Sequence, residues 1–315
     1  LSLEIQEKAV PKLQDNEVLI KTHAAPVNPS DIAFIQGAYN IVKPLPAVPG
    51  FEGSGVIVDT GKNARELIHK KVSAFVQTNR DGSWADYFIA RKKDLTMLQD
   101  DMDMDQAACF TVNPFTAYAL MEIALVRESK AIIQNAAGAQ LAALLRIMAK
   151  ENGIEVINIV RKAETATFLE QQGEQHVLNQ ADHTFEEKLT TLSRKLQATT
   201  AFDAVGGELA GQMFNAMAED SELVVYGGLS NKPAAGIGLK DLIFKNKIIS
   251  GFNLMDWKRE LDISEFEKIS KELQDKIISG VYKTEIQEAI ELEQILLGLK
   301  TYLGNMSGGK ILIKP

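Results

Sequence analysis

Between residues 130 and 226 short apolar runs alternate with helix-length stretches, and this alternation limits the fold more than any other feature of the chain. Lys130–Gln134, Glu155–Val160, His176–Leu178, Thr200–Val205 and Glu222–Tyr226 read as strands. Between them Ala139–Glu151, Lys162–Gln172, Phe185–Leu196 and Glu208–Ala218 read as helices. Such spacing predicts βαβ units and a parallel sheet covered on both faces.

The flanks read differently. Leu1–Ile5 resembles the middle or end of a strand, and Glu17–Ala25 a strand stopped by the breakers Pro26 and Pro29. Phe51–Thr60, Lys71–Gln77 and Trp84–Arg91 are further strand candidates. Met104–Phe110 and Phe115–Leu125 are apolar helical stretches. Ser264–Ser279 predicts a helix, with Ser264 as cap, Glu267 completing a capping box and Gly280 as the stop. Lys310–Lys314 closes the chain as a strand. The expectation is an α/β protein in which a doubly wound parallel-sheet domain, residues 113–252, interrupts a β-rich domain of residues 1–112 and 253–315.

Composition narrows the function. Of 315 residues, 34 are Lys or Arg and 42 are Asp or Glu, a net charge of −8 that argues against nucleic acid as partner. No apolar run of about 18 residues predicts a membrane span. The single cysteine, Cys109, excludes an intramolecular disulfide and points to a reducing compartment, with a cytoplasmic location expected. The mitochondrial matrix stays open, because the chain starts at Leu1 rather than Met and its start carries no information on a leader. Four histidines, His23, His69, His176 and His183, show no metal-ligand spacing.

A dinucleotide site needs a strand, a tight turn of small residues and a helix N-terminus, where backbone N–H groups and the helix dipole meet a pyrophosphate. Asn135-Ala136-Ala137-Gly138-Ala139-Gln140, between a strand and a helix, has that form although it lacks the G-x-G-x-x-G pattern. It keeps small residues at Ala136, Ala139 and Ala142. Without a ligand the same residues would be an Ala-rich helix start. Arg161 follows the next strand, 19 residues beyond Ala142. An acidic residue there suits the ribose of NAD, a basic one the 2′-phosphate of NADP. Gly206-Gly207 and Gly227-Gly228 stand at carboxyl ends of strands, where ligands bind open parallel sheets.

Taken in order, Asn28-Pro29-Ser30-Asp31, Gly50-Phe51-Glu52-Gly53-Ser54-Gly55, the Ala-rich turn and Gly227-Gly228 resemble the medium-chain dehydrogenase/reductase superfamily. The similarity runs over essentially the whole chain. It implies a Rossmann domain inserted into a catalytic domain resembling the GroES fold. The zinc branch of that superfamily carries Gly-His-Glu where this chain has Gly50-Phe51-Glu52, and a Cys near the place of Asn28. The resemblance is therefore to a zinc-independent member, with no metal site. Ile35-Gln36-Gly37-Ala38-Tyr39, Val112-Asn113-Pro114-Phe115-Thr116-Ala117-Tyr118 and Tyr226-Gly227-Gly228 are most similar to the 2-enoyl thioester reductases of mitochondrial type. Quinone oxidoreductases resembling zeta-crystallin are the next group.

The resemblance implies an NADPH-dependent reductase of an activated carbon–carbon double bond, with a quinone or enone reductase as the alternative. A non-catalytic dinucleotide-binding or sensory protein is a third reading, supported by the scarcity of glycine in the turn. Tyr39 takes the place of a tyrosine considered catalytic. A phenol with pKa near ~10 stays protonated at neutral pH and can donate to an enolate oxygen. Asn28, Asn113 and Thr116 are candidates to orient a carbonyl, or else turn and cap residues. Tyr226 and Phe252 match positions on the cofactor side, Phe252 with a core role as the alternative. Trp257 matches a tryptophan that can wall the substrate pocket, with a surface-anchored Trp as the alternative. Lys310, after Gly308-Gly309, is expected either to reach NADP or to be a solvated terminal lysine. A homodimer, formed through edge strands of the parallel sheets, is also implied.

Overall fold

A computed structural model of the chain describes residues 3–41, 43–77 and 79–315. Two compact units emerge, Leu1–Phe115 with Ile263–Pro315, and Thr116–Asp262. Sequence reading placed the corresponding boundaries at 112/113 and 252/253.

The first unit opens with β1 (Glu17–Pro26), α1 (Pro29–Ile35), β2 (Glu52–Thr60), β3 (Lys71–Phe75), β4 (Tyr87–Arg91), β5 (Leu95–Met97) and α2 (Met104–Ala108). Helix α3 (Asn113–Val126) begins in it and continues into the second unit. The second unit holds β6 (Ala131–Gln134), α4 (Gln140–Glu151), β7 (Glu155–Val160), α5 (Ala163–Gln171), β8 (Val177–Asn179) and α6 (Phe185–Leu196). It continues with β9 (Ala198–Asp203), α7 (Glu208–Ala216), β10 (Glu222–Val225), α8 (Leu239–Phe244), β11 (Ile248–Gly251) and α9 (Leu254–Glu260). The chain then returns to the first unit with α10 (Ile263–Ile278), β12 (Ile286–Ile290), α11 (Ile295–Gly304) and β13 (Lys310–Ile313).

The first unit is a seven-stranded sheet in the order β12-β13-β1-β2-β3-β5, with β4 also paired to β1. The C-terminal strand β13 lies antiparallel to β1, with Ala25 opposite Ile313. Val18, Ile20, Ile57, Val72 and Phe88 form one core of this sheet, and Val27, Trp84, Ile311 and Ile313 another. The second unit is a six-stranded parallel sheet ordered β11-β10-β9-β6-β7-β8. The order reverses beside β6, the doubly wound pattern whose ligands bind at carboxyl strand ends next to the switch. Ile133, Ile157, Ile159, Leu189, Phe214 and Leu223 fill the space beneath its helices. Among the described residues no helix is long and apolar enough to cross a membrane.

Several local expectations are corrected. Leu1 and Ser2 lie outside the described residues, and Leu3–Ile5 form no strand. Residues 29–35 are a helix although Pro26 and Pro29 read as breakers. Pro29 occupies the first helical position, where its fixed φ is suited and its missing N–H costs nothing. Helix α10 starts at Ile263, so Ser264 stands inside the first turn and does not cap it. Strand β9 ends at Asp203, two residues earlier than expected. There the Asp203 carboxylate accepts the N–H groups of Val205 and Gly206 at 2.8 and 2.9 Å and turns the chain.

Candidate active site

In the second unit the small residues after β6 form the expected turn. Ala136 adopts a positive φ of 48° without being glycine, a conformation that costs about 1–2 kcal/mol for a residue with a Cβ. The turn is braced from behind. Ala137 donates its N–H to Ile159 at 3.1 Å, and its carbonyl accepts from the Arg146 guanidinium at 2.5 Å. Arg146 also pairs with Glu174 at 3.3 Å. Glu174 in turn accepts from Asn158, and Asn158 from Gln134. On its front the N–H groups of Ala136 and Gly138 have no acceptor among the described residues. Helix α4 follows with Ala139 at its N-cap and no side-chain cap. Uncapped first-turn N–H groups at the positive end of a helix form a cradle for an anion.

Asn135 is placed differently from expectation. Its amide is buried and both ends are engaged, accepting from Ala204 at 2.8 Å and donating to Asp203 at 2.5 Å. It ties the ends of β6 and β9 together. Gly206 has φ +73°, and a Cβ there would lie 2.9 Å from the Lys232 carbonyl. A Cβ on Gly227 would lie 2.8 Å from the Ala204 carbonyl, whereas Gly228 is open. Tyr226 is half-buried, with its phenol held above the usual range by burial first and Asp203 second. Arg161 is exposed and makes no ion pair among the described residues. Gln140 opens α4, and Phe252 is half-buried with its N–H on the Val225 carbonyl at 2.9 Å. Trp257 donates its indole N–H to Glu122 at 3.1 Å, 6.3 Å from the Tyr118 ring. Thr116 is buried near the start of α3.

In the first unit the structure gathers residues that sequence reading kept apart. Glu52 is fully buried. It accepts from the Asn28 amide at 2.8 Å, the Thr111 hydroxyl at 3.1 Å and the Val112 N–H at 3.0 Å. Burial raises its carboxyl, and Lys310 is the first of the groups that pull it back down. The Lys310 ammonium donates to the Asn28 Oδ1. Asp31 is also fully buried and accepts from the N–H groups of Asn28 and Phe51 at 2.8 and 3.0 Å. Burial pushes Asp31 up to about 7, with Glu52 adding to the rise.

Two expectations change here. Lys310 is 3% exposed, not a solvated terminal lysine, because β13 lies between β12 and β1. Asn28 does not offer a free amide to a substrate carbonyl, because both ends are held by Glu52 and Lys310. Asn113 is buried at the first position of α3. Glu52 and Asp31 are residues to which sequence reading gave no role. Their partners come from several separate segments, so only their place in the quoted motifs could have marked them.

Tyr39 lies in the loop after α1. Its ring stacks at a tilt on Phe51, with centroids 5.1 Å apart. Gln77 donates to the phenol oxygen at 2.8 Å. The phenol is raised above its ordinary value by burial first, opposed by the Gln77 hydrogen bond, with Asp31 adding to the rise. It therefore stays protonated through the neutral range.

Comparison with known proteins gives these features a family. The alcohol dehydrogenase GroES-like domain matches residues 14–100, and the zinc-binding dehydrogenase domain matches residues 142–274. The mitochondrial enoyl-[acyl-carrier-protein] reductase of Xenopus tropicalis is 32% identical over 83% of this chain and 75% of its own length. The human protein of that name is 30% identical over 88% and 75%. A crystal structure assigned to an NADPH:quinone reductase of Mesorhizobium loti superposes with a TM-score of 0.91. It is 33% identical and covers 97% of this chain and 89% of that one. A mutant enoyl thioester reductase from Candida tropicalis, 22% identical, shares the fold with a TM-score of 0.76 over 98% and 93%. The chain belongs to the medium-chain dehydrogenase/reductase superfamily, in the same family as the mitochondrial enoyl reductases.

Proposed function

We propose that the chain is an NADPH-dependent reductase of activated carbon–carbon double bonds, and that its substrate is a 2-enoyl thioester. The observation that carries this reading is the protonated Tyr39 phenol. Its oxygen accepts the Gln77 N–H, which leaves its own hydrogen available to an incoming oxygen. The enoyl reductase relatives support the substrate class.

The residues of the second unit fit a dinucleotide. The N–H groups of Ala136 and Gly138, without an acceptor among the described residues, the uncapped start of α4 and the open face of Gly228 suit a pyrophosphate. Arg161, which makes no ion pair among the described residues, suits a 2′-phosphate and so NADP. Ala137, Ala139 and Gln140 complete the cradle, while Gly206, Tyr226, Gly227 and Phe252 border it. Asn135 acts by fixing the ends of β6 and β9. When bound, NADPH supplies a hydride.

Hydride delivery to the β-carbon moves the π electrons onto the carbonyl oxygen. Tyr39 donates its hydrogen bond to that oxygen as charge develops, and a proton taken up from solvent at the α-carbon restores the carbonyl of the saturated thioester. Asn113 and Thr116 are proposed to orient the carbonyl, and Trp257 to bind the substrate. Asn28, Glu52 and Lys310 act from behind as a buried frame.

We further propose that the reaction runs without zinc. Where the zinc branch places Cys and His this chain has Asn28 and Phe51, and the Lys310 ammonium is bound to Asn28. A cation already lodged there opposes a divalent ion. A homodimer through the parallel sheet is supported by β11, an edge strand, and by exposed apolar residues of α8, among them Phe244 at 77%. The buried thiol of Cys109 accords with a reducing compartment, the cytoplasm or a mitochondrial matrix.

A second reading, an NADPH-dependent quinone reductase, is favoured by the 33% identity and TM-score of 0.91 to the Mesorhizobium loti protein. Absorbance assays of NADPH oxidation with crotonyl-CoA and with a benzoquinone separate the two. Turnover of the quinone alone would select the second.

A further inference from the structure

Lys43, four residues beyond Tyr39, is 6% exposed, and its ammonium has no hydrogen-bond partner among the described residues. It sits over two rings, 5.5 Å from the centre of Phe34 and 5.6 Å from that of Phe51. Cation–π attraction offsets part of the cost of burying the charge, but rings accept no directed N–H bond. The two carboxylates that act on it are engaged elsewhere. Asp31 accepts from Asn28 and Phe51, and Asp81 accepts from Val48 and pairs with Lys8. Tyr39 packs on the same Phe51 ring, and its phenol hydrogen is likewise without an acceptor among the described residues. One aromatic side chain thus carries two unclaimed donors, a phenol and an ammonium.

We infer that Lys43 is a second donor for the substrate oxygen, pairing with Tyr39 in a two-donor site for the oxyanion of an enoyl thioester as it is reduced. The inference rests on the thioester reading above. A charged donor beside a neutral one stabilises the enolate more than the ground-state carbonyl, which is the condition for raising the rate. Burial first brings Lys43 down to about 8, with Asp81 and Asp31 opposing the fall. It is charged below that pH and neutral above it, so turnover should decline as pH rises through about 8.

The test is steady-state reduction of crotonyl-CoA by NADPH from pH 6 to 10, for the wild-type chain, Lys43→Met and Lys43→Arg, with NADPH affinity measured by calorimetry. Methionine keeps the apolar stem between the rings. The expected result is a fall in kcat of about 10²-fold for Lys43→Met, as for loss of one oxyanion donor, with NADPH affinity unchanged. Lys43→Arg should keep most activity and lose the decline near pH 8. Should Lys43→Met fail to fold, Lys43→Arg and the wild-type pH profile decide. A wild type active on crotonyl-CoA, with both folded variants matching its kcat and pH profile, would overturn this inference and leave the thioester reading standing. A wild type that oxidises no NADPH with crotonyl-CoA would overturn both.

Discussion

Gln77 donates its side-chain N–H to the phenol oxygen of Tyr39 at 2.8 Å. That direction of donation matters, because it occupies a lone pair and leaves the phenol hydrogen for a ligand. Tyr39→Phe should therefore lower kcat for crotonyl-CoA by about 10²–10³-fold, with unchanged NADPH affinity and unfolding midpoint. Steady-state absorbance and calorimetry check this. Gln77→Leu should give a smaller loss, since the phenol stays in place on Phe51. Equal turnover of Tyr39→Phe with thioesters would remove the proposed role.

Arg161 sets the expected cofactor preference. Arg161→Glu replaces a guanidinium suited to a 2′-phosphate with a carboxylate that repels it. The ratio of kcat/KM for NADPH over NADH should fall by about 10-fold or more, since losing one charge-assisted pair costs about 1.5–3 kcal/mol. An unchanged ratio would place the 2′-phosphate elsewhere.

The frame behind Phe51 predicts a large stability effect. Lys310→Met removes the only ammonium hydrogen-bonded to Asn28 among the described residues and takes away the positive charge that favours ionised Glu52, whose three hydrogen bonds stay. Leaving the Asn28 Oδ1 buried without its donor costs about 1–3 kcal/mol, which urea unfolding would read directly. A loss below about 1 kcal/mol, the range of surface pairs, would mean that water reaches the cluster.

Asp31 adds a pH signature. Its folded value, about 7, lies above the ordinary carboxylate value. The stability it contributes is complete below about pH 4 and is lost as pH rises towards 7, at up to about 1.4 kcal/mol per unit. Asp31→Asn should be less stable at acid pH, because it loses one of two N–H contacts, yet its stability should change less between pH 4 and 7. Parallel pH profiles for the two proteins would contradict the assignment.

Much of this architecture was legible in the sequence. The parallel sheet was readable because each βαβ unit imposes its own periodicity, and residues 155–160 and 185–196 came out at the observed bounds. The turn at Asn135–Gln140 was readable because strand, small residues and helix are contiguous. Tyr39 was reached by resemblance rather than by chemistry, since a loop tyrosine carries no local signal.

What stayed hidden depends on distant pairing. Lys310 looked solvated because it is near the end of the chain, and only the insertion of β13 between β12 and β1 buries it. Glu52 is surrounded by Asn28, Thr111, Val112 and Lys310, from three segments that no local pattern connects. Lys43 had no signal at all, because its significance is an ammonium with no hydrogen-bond acceptor among the described residues. The short elements α8, β11 and β12 were not read from the sequence.

The most direct test of the central claim is NADPH oxidation at 340 nm by the purified chain, with crotonyl-CoA and 1,4-benzoquinone offered separately. The account predicts saturable oxidation with crotonyl-CoA, a much lower kcat/KM with the quinone, and loss of the thioester activity in Tyr39→Phe. Oxidation with the quinone alone, unaffected by Tyr39→Phe, would contradict it.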